Sequence, residues 1–328
     1  MYGDLPIWLS SLFILGGLVA LAWSSDRFVT GAAALARLLG VSPFVVGMVV
    51  VGFGTSAPEL LVSTFSGVSG HANLSLGNAY GSCFFNIVGI LGVAALVRPF
   101  AVKPSVSYAA VPLLLALTGL TFCLLRDGAL SRVDALVLLG LFAVVMPLYC
   151  LFDSSEADEA LDGTPSLKIA SAVFWTLAGL GVMVGASHIL VWGCVDVARA
   201  LGVSELLIGL TVVAIGTSLP ELASAIAAAR HDEPELVVGN IVGSNLFNML
   251  AVVGIAGALS PTDSFSRYVL WRDLPLLALA TLSIALFGFN RKFPRQAGKV
   301  TRAEGAVWAA AFFIYMTLTI IQEAFHHG

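Results

Sequence analysis

The chain has 328 residues, of which 58% are hydrophobic and 11% charged, with a formal net charge of -4. A soluble domain carries about 25% charged residues, so this composition excludes a fully water-facing surface. No basic run points to nucleic acid, and apolar stretches of spanning length recur from end to end, so the solvent is lipid.

Ten spans are expected, at roughly 7–34, 41–69, 73–96, 104–125, 130–152, 168–197, 203–229, 235–258, 271–289 and 302–324. The first has no basic leader and reads as a retained span, not a cleaved signal peptide. The alternating ten-residue segments of a membrane barrel are absent. Between the fifth and sixth spans lies the acidic stretch DSSEADEALDGTPS, residues 153–166. It lacks the glycine and ligand spacing of an EF-hand loop and reads as a solvated linker. The expected organisation is therefore a half of five helices at 1–152, a cytoplasmic linker at 153–167 and a second half at 168–328.

Cys83, Cys123, Cys150 and Cys194 are scattered through apolar stretches and are expected to pack as small buried residues. With the N-terminus outside, ten Lys or Arg side chains (37, 98, 103, 168, 230, 291, 292, 295, 299, 302) face inward. Five (126, 132, 199, 267, 272) face outward. The positive-inside rule then predicts both termini outside.

An internal duplication is the most informative feature. Residues 39–92 align with 201–254 at a constant offset of 162, with 21 identities in 54 positions. LGVS recurs at 39 and 201, GTSxPEL at 54 and 216, and GNxxGSxxxN at 77 and 239. The shared residues are mostly polar or helix-breaking, which chance resemblance between apolar helices does not produce. Each copy sits in a half of five spans. Five is odd, so the second copy enters the membrane upside down, as in secondary transporters that alternate access around a midplane site.

In GTSxPE, proline removes a backbone donor and breaks the helix near Pro58 and Pro220. Carbonyls freed at Thr55, Ser56, Thr217 and Ser218 need partners in lipid and can ligate a cation. Glu59 and Glu221 follow at once. An ionised carboxylate at the bilayer centre costs about 3 kcal/mol on insertion scales, and no Lys, Arg or His lies centrally in spans two, three, seven or eight to offset it. A bound metal ion can. Oxygen-only ligation suits a hard cation, Ca²⁺ more readily than Mg²⁺. Two glutamates balance one Ca²⁺ or two Na⁺, which is a basis for exchange at one site.

GNxxGSxxxN places small residues (Gly77, Gly81, Gly89) and polar ones (Asn78, Ser82, Asn86) on stripes of the third span, repeated by Gly239, Gly243, Asn240, Ser244 and Asn248 in the eighth. The glycines are expected to pack helices. Asp26 and His188, equivalent in the repeat, read as gating or proton-linked groups or as members of an interfacial cluster. His71 and His231 are expected to do nothing specific. Trp8, Trp23, Trp175, Trp271 and Trp308 read as interfacial anchors or packing residues.

At these motifs the sequence resembles the calcium/cation antiporter superfamily, and most closely prokaryotic sodium/calcium exchangers related to the potassium-dependent ones. The resemblance covers essentially the whole chain. It implies an all-α membrane protein of ten transmembrane helices in two inverted five-helix repeats. It also implies Ca²⁺ export against Na⁺ entry, with Glu59, Glu221, Thr55, Ser56, Thr217, Ser218, Ser82, Asn86, Ser244 and Asn248 around the ions. Some sodium/calcium exchangers carry Asp where this chain has Asn248, which leaves stoichiometry and K⁺ dependence open. Proton-coupled exchange and, less readily, a passive channel are the alternatives.

No enzyme is expected, since HExxH and G-x-S-x-G patterns are absent. Nor is a cofactor or an obligatory protein partner. The expected partners are the bilayer and the transported cations, in a prokaryotic inner membrane.

Overall fold

The computed structural model describes residues 6–153, 167–202, 214–290, 293 and 296–326. Most of the acidic linker and the start of the seventh expected span, 203–213, lie outside the described residues. The helices are α1 (Ile7–Leu39), α2 (Pro43–Thr55), α3 (Ala57–Val68), α4 (Ala72–Val97), α5 (Val106–Leu125) and α6 (Arg132–Asp153) in the first half. The second half has α7 (Ile169–Ala200), α8 (Ala214–Thr217), α9 (Leu219–Arg230), α10 (Pro234–Leu259), α11 (Val269–Gly288) and α12 (Arg302–His326). Seven of these are long and apolar enough to cross a membrane alone, and the bent α2–α3 pair forms an eighth span.

The inversion is visible in α1 and α7, which hold equivalent places in the two halves yet run antiparallel. Gly17 approaches Leu190, Phe28 approaches Gly179, Gly31 approaches Thr176, and Ser10 and Ile14 approach Gly193. Gly17 and Gly179 are repeat equivalents, as are Gly31 and Gly193. The duplication thus extends upstream of the 39–92 match, and each copy supplies the same two glycines to one interface. Missing side chains let two helices approach closely where lipid gives no hydrophobic drive to associate.

The motif-bearing helices form the core. The apolar window of α10 is 100% buried and that of α4 78%, against 22% for α1, 17% for α6 and 28% for α7. A helix apolar on all sides belongs inside. Both core helices carry a π-helical turn at the same place, Asn86–Leu91 in α4 and Phe247–Val252 in α10. Such turns favour functional positions. A second equivalent pair, Val106–Ala110 and Val269–Asp273, opens α5 and α11.

The loops fall into two sets. On one face Arg37 pairs with Glu233, Arg98 with Asp232 at 2.9 Å and Lys103 with Glu235 at 3.0 Å. A two-stranded antiparallel sheet joins β1 (Phe100–Val102) to β2 (Gly298–Val300) in the same set. Asp232 holds φ +62°, where its equivalent Gly70 holds +82°. The left-handed conformation strains most L-residues, and Asp is one of the few besides Gly that tolerate it. In the other set Ser266 N donates to Asn73 Oδ1 at 2.6 Å, Phe265 N to Gly128 O at 3.0 Å, and Leu130 bridges Thr262.

Three expectations are corrected. Cys123 is exposed on α5, so it does not pack as a small core residue, whereas Cys83 does. His231 is not idle, for its Nε2 lies 2.6 Å from Asp26 Oδ1. That contact ties Asp26 on α1 to the segment that follows α9, while His188 is exposed. Finally, the two glycine stripes differ. A Cβ on Gly239 would meet Phe44 O at 2.3 Å and one on Gly243 would meet Met48 O at 2.1 Å. One on Gly77 or Gly81 meets no described atom within 4 Å, and both line a cavity of about 370 Å³.

Because backbone blocks the methyl group, Gly243→Ala is expected to destabilise the protein by about 2 kcal/mol or more. A thermal melt of the detergent-solubilised protein checks this. An unchanged melting temperature would contradict the close approach of α10 to α2.

Candidate ion site

Two broken helices place the acids. Pro58 and Pro220 sit in the first turns of α3 and α9, where a missing N–H costs nothing. The ladder therefore stops just before them, at Ser56 (φ -81°, ψ 7°) and Ser218 (φ -93°, ψ 12°). At Ser56 the chain turns by 43°. Glu59 and Glu221 follow one turn later, facing inward, and both are 0% exposed.

The copies grip each other's acids. Ser56 Oγ donates to Glu221 Oε1 at 3.0 Å, and Ser218 Oγ donates to Glu59 Oε1 at 2.7 Å. Each glutamate thus accepts a hydrogen bond from the serine three residues before the other glutamate. Ser82 Oγ lies 3.3 Å from Ser218 Oγ and adds α4 to the cluster. On the other side Ser244 Oγ donates to Gly52 O at 3.3 Å. Thr55 Oγ1 donates to Val51 O at 3.0 Å. Thr217, Asn86 and Asn248 are buried as well.

One expectation fails here. The carbonyls of Ser56 and Ser218 are not left free by the breaks. Ser56 O accepts from Leu60 N and Ser218 O from Leu222 N, both at 3.1 Å, which restarts the helix. The serine hydroxyls, not their carbonyls, reach the carboxylates.

Oxygen remains available. Glu59 Oε2, Glu221 Oε2, Asn86 Oδ1 and both amide atoms of Asn248 are buried with no hydrogen-bond partner among the described residues. None of the described ion pairs involves Glu59 or Glu221. Buried unpaired carboxylate oxygens are costly, and oxygen donors carrying two formal negative charges suit a hard cation.

Sequence reasoning left three asparagines out of the site. Asn78 Nδ2 donates to Glu59 O at 3.2 Å and to Ser63 Oγ at 2.9 Å. Asn240 Nδ2 does the same to Glu221 O at 3.4 Å and Ser224 Oγ at 3.0 Å. These paired amides tie each core helix to the helix that carries its glutamate. Their presence in both copies of GNxxGSxxxN was the available signal. The third, Asn245, bonds Asn86. Its equivalent is Cys83, a mismatch that the sequence alone reads as a packing difference.

The sequence profile of the sodium/calcium exchanger protein family matches residues 9–150 and 171–321. The protein CaxA of Alkalimonas amylolytica is 36% identical over 316 residues, covering 94% of this chain and 98% of CaxA. The sodium/calcium exchanger MaX1 of Methanosarcina acetivorans is 29% identical over 322 residues, covering 84% of this chain and 90% of MaX1. A solved structure of the sodium-calcium exchanger NCX_Mj superposes with a TM-score of 0.82 at 30% identity, covering 95% of this chain and 99% of that one. The ten-helix, inverted-repeat architecture is shared with that exchanger. A profile matched through both halves, near full-length relatives and a common fold agree: this chain is a membrane transporter of the sodium/calcium exchanger family.

Proposed function

We propose that this protein exchanges Ca²⁺ for Na⁺ across the cytoplasmic (inner) membrane of a prokaryote by alternating access, and that it exports Ca²⁺. One observation carries the reading. Two wholly buried carboxylates, one from each inverted copy, are hydrogen-bonded across the pseudo-symmetry interface with no cationic side chain paired to them among the described residues. Ca²⁺ neutralises the pair, and so do two Na⁺. Either load lets the site cross between faces, whereas the unloaded pair keeps its charge in the membrane. That difference couples the two fluxes. The names of MaX1 and NCX_Mj carry sodium and calcium, which supports the same ion pair here.

In this reading Glu59 and Glu221 serve both ions. Thr55, Ser56, Thr217 and Ser218 supply oxygens from the helix breaks, and Ser82, Asn86, Ser244 and Asn248 supply them from α4 and α10. Residues 1–152 and 168–328 act as the two inverted halves, with 153–167 as a cytoplasmic linker. The face bearing Arg98, Lys103 and Arg302 is cytoplasmic, so both termini lie outside. One chain supplies both halves of the site, so a monomer suffices.

Glu59→Gln and Glu221→Gln should each abolish Ca²⁺ uptake driven by a Na⁺ gradient in proteoliposomes. Undiminished exchange in either variant would end the proposal. In wild-type vesicles a Na⁺ gradient without a pH difference should drive uptake, and a pH gradient without Na⁺ should not. The reverse pattern would assign proton coupling to the same acids.

The same glutamate substitutions give a test that needs no flux. Neutralising one acid removes a buried charge worth about 3 kcal/mol. Glu59→Gln should therefore melt several degrees above wild type in chelator and lose the rise in melting temperature that Ca²⁺ gives the wild type. A lower melting temperature in chelator would mean that the acid pair is not a burden to the empty protein.

A further inference from the structure

Residues 83 and 245 are equivalent in the repeat, and they meet. Asn245 Nδ2 donates to Cys83 O at 3.2 Å, and Cys83 Sγ donates to Asn245 O at 3.7 Å. They face each other where the two inverted copies touch. Position 245 carries a carboxamide, however, and position 83 a thiol.

That difference determines what the neighbouring asparagines can do. A backbone carbonyl only accepts, so Asn245 must turn its NH₂ toward Cys83 O. Its Oδ1 then faces Asn86, which must answer with Nδ2, at 3.0 Å. Both amide orientations follow from one carbonyl. Asn86 Oδ1 is left buried and unpartnered, fixed in direction by a bond on the other end of its own amide.

Asn248 is the repeat equivalent of Asn86, and its orienting residue would be at position 83. A thiol there offers no strong acceptor to an amide. Accordingly, Asn248 Nδ2 and Oδ1 are both without a partner among the described residues, although the residue is 0% exposed. No hydrogen bond among the described residues sets which end of that amide is presented.

We infer that Asn245 is a positioning residue. It holds Asn86 Oδ1 ready as a preset oxygen for the cation, while Asn248 is an unset amide whose orientation is fixed only when it ligates. The two halves of the site are thus unequal as ligands, and Cys83 is the cause. The inference rests on the proposed exchange reading and adds a specific prediction about affinity. Groups that orient a metal ligand from behind are worth about 10–100-fold in metal affinity.

The experiment compares Ca²⁺ exchange by wild type, Asn245→Cys, Cys83→Asn and the double swap C83N/N245C in proteoliposomes, with Ca²⁺ as the varied ion. Asn245→Cys should raise the KM for Ca²⁺ about tenfold with a much smaller change in Vmax. Cys83→Asn should lower KM, because it gives Asn248 the same preset partner. The double swap should return KM to within about threefold of wild type, with Asn248 now preset and Asn86 released. A merely structural role for Asn245 would not be rescued by moving the amide to the other copy.

An unchanged KM in Asn245→Cys overturns the inference, as does a double swap as impaired as Asn245→Cys alone. If Asn245→Cys fails to give a monodisperse protein, Cys83→Asn decides, and an unchanged or raised KM there overturns it. Absence of exchange by the wild type would instead overturn the proposed function, so the two failures are distinguishable.

Discussion

Two carboxylates placed in hydrocarbon, with no basic side chain paired to them among the described residues, are the constraint around which the rest is arranged. Each would be expensive alone. No Lys or Arg among the described residues offsets them; such a partner would hold the charge permanently and leave nothing for a mobile ion to do. It supplies hydroxyls, one per acid, on one oxygen each. The second oxygen of each acid is left open. Half-satisfied acids persist in a folded protein only if the surrounding packing is rigid enough to hold them there. That accounts for the burial of α4 and α10 and for the backbone-to-backbone approach at Gly239 and Gly243.

The cross-pairing of serines and glutamates makes the site a property of both copies together. Ser56 belongs to the break before Glu59 but bonds Glu221, and Ser218 does the converse. Neither half could hold its own acid in this way. The antiparallel α1–α7 pair, closed by two equivalent glycines from each helix, shows the same principle at the periphery. Gene duplication with inversion produces such reciprocal contacts because any surface that meets its own copy across a two-fold axis must fit itself.

Much of this was legible in the residues, and the reasons differ by feature. The spans were legible because lipid imposes length and apolarity on every helix. The helix breaks were legible because proline removes a specific donor, although the break falls at Ser56 and Ser218, two residues before each proline. The carbonyl expectation missed because a helix can restart at once, and the carbonyls of Ser56 and Ser218 are then taken up by Leu60 and Leu222. The π-helical turns at Asn86 and Phe247 carry no composition signal, since they depend on packing around α4 and α10. His231 looked idle because its partner, Asp26, is 205 residues away in sequence. The mismatch of Cys83 and Asn245 was legible in the repeat, but their mutual contact and the bond to Asn86 were not, because they arise only when the two copies meet in the fold.

The departures from symmetry are of two kinds. Ser187 on α7 donates to Gly216 O at 2.9 Å, across to the second broken helix. Its equivalent, Ser25 on α1, donates within its own helix to Ala22 O at 3.1 Å. The residues are identical and only their bonding differs, which is the kind of asymmetry that an inverted repeat can exchange between its halves when access changes sides. The pair Cys83 and Asn245 is different, because its asymmetry is one of residue identity and no rearrangement can exchange it. Reversing the conformation therefore does not restore the same ligand field in mirror image. A duplication that began with equal halves has diverged at the point of contact between its copies, so loading from one face and loading from the other need not be equivalent reactions.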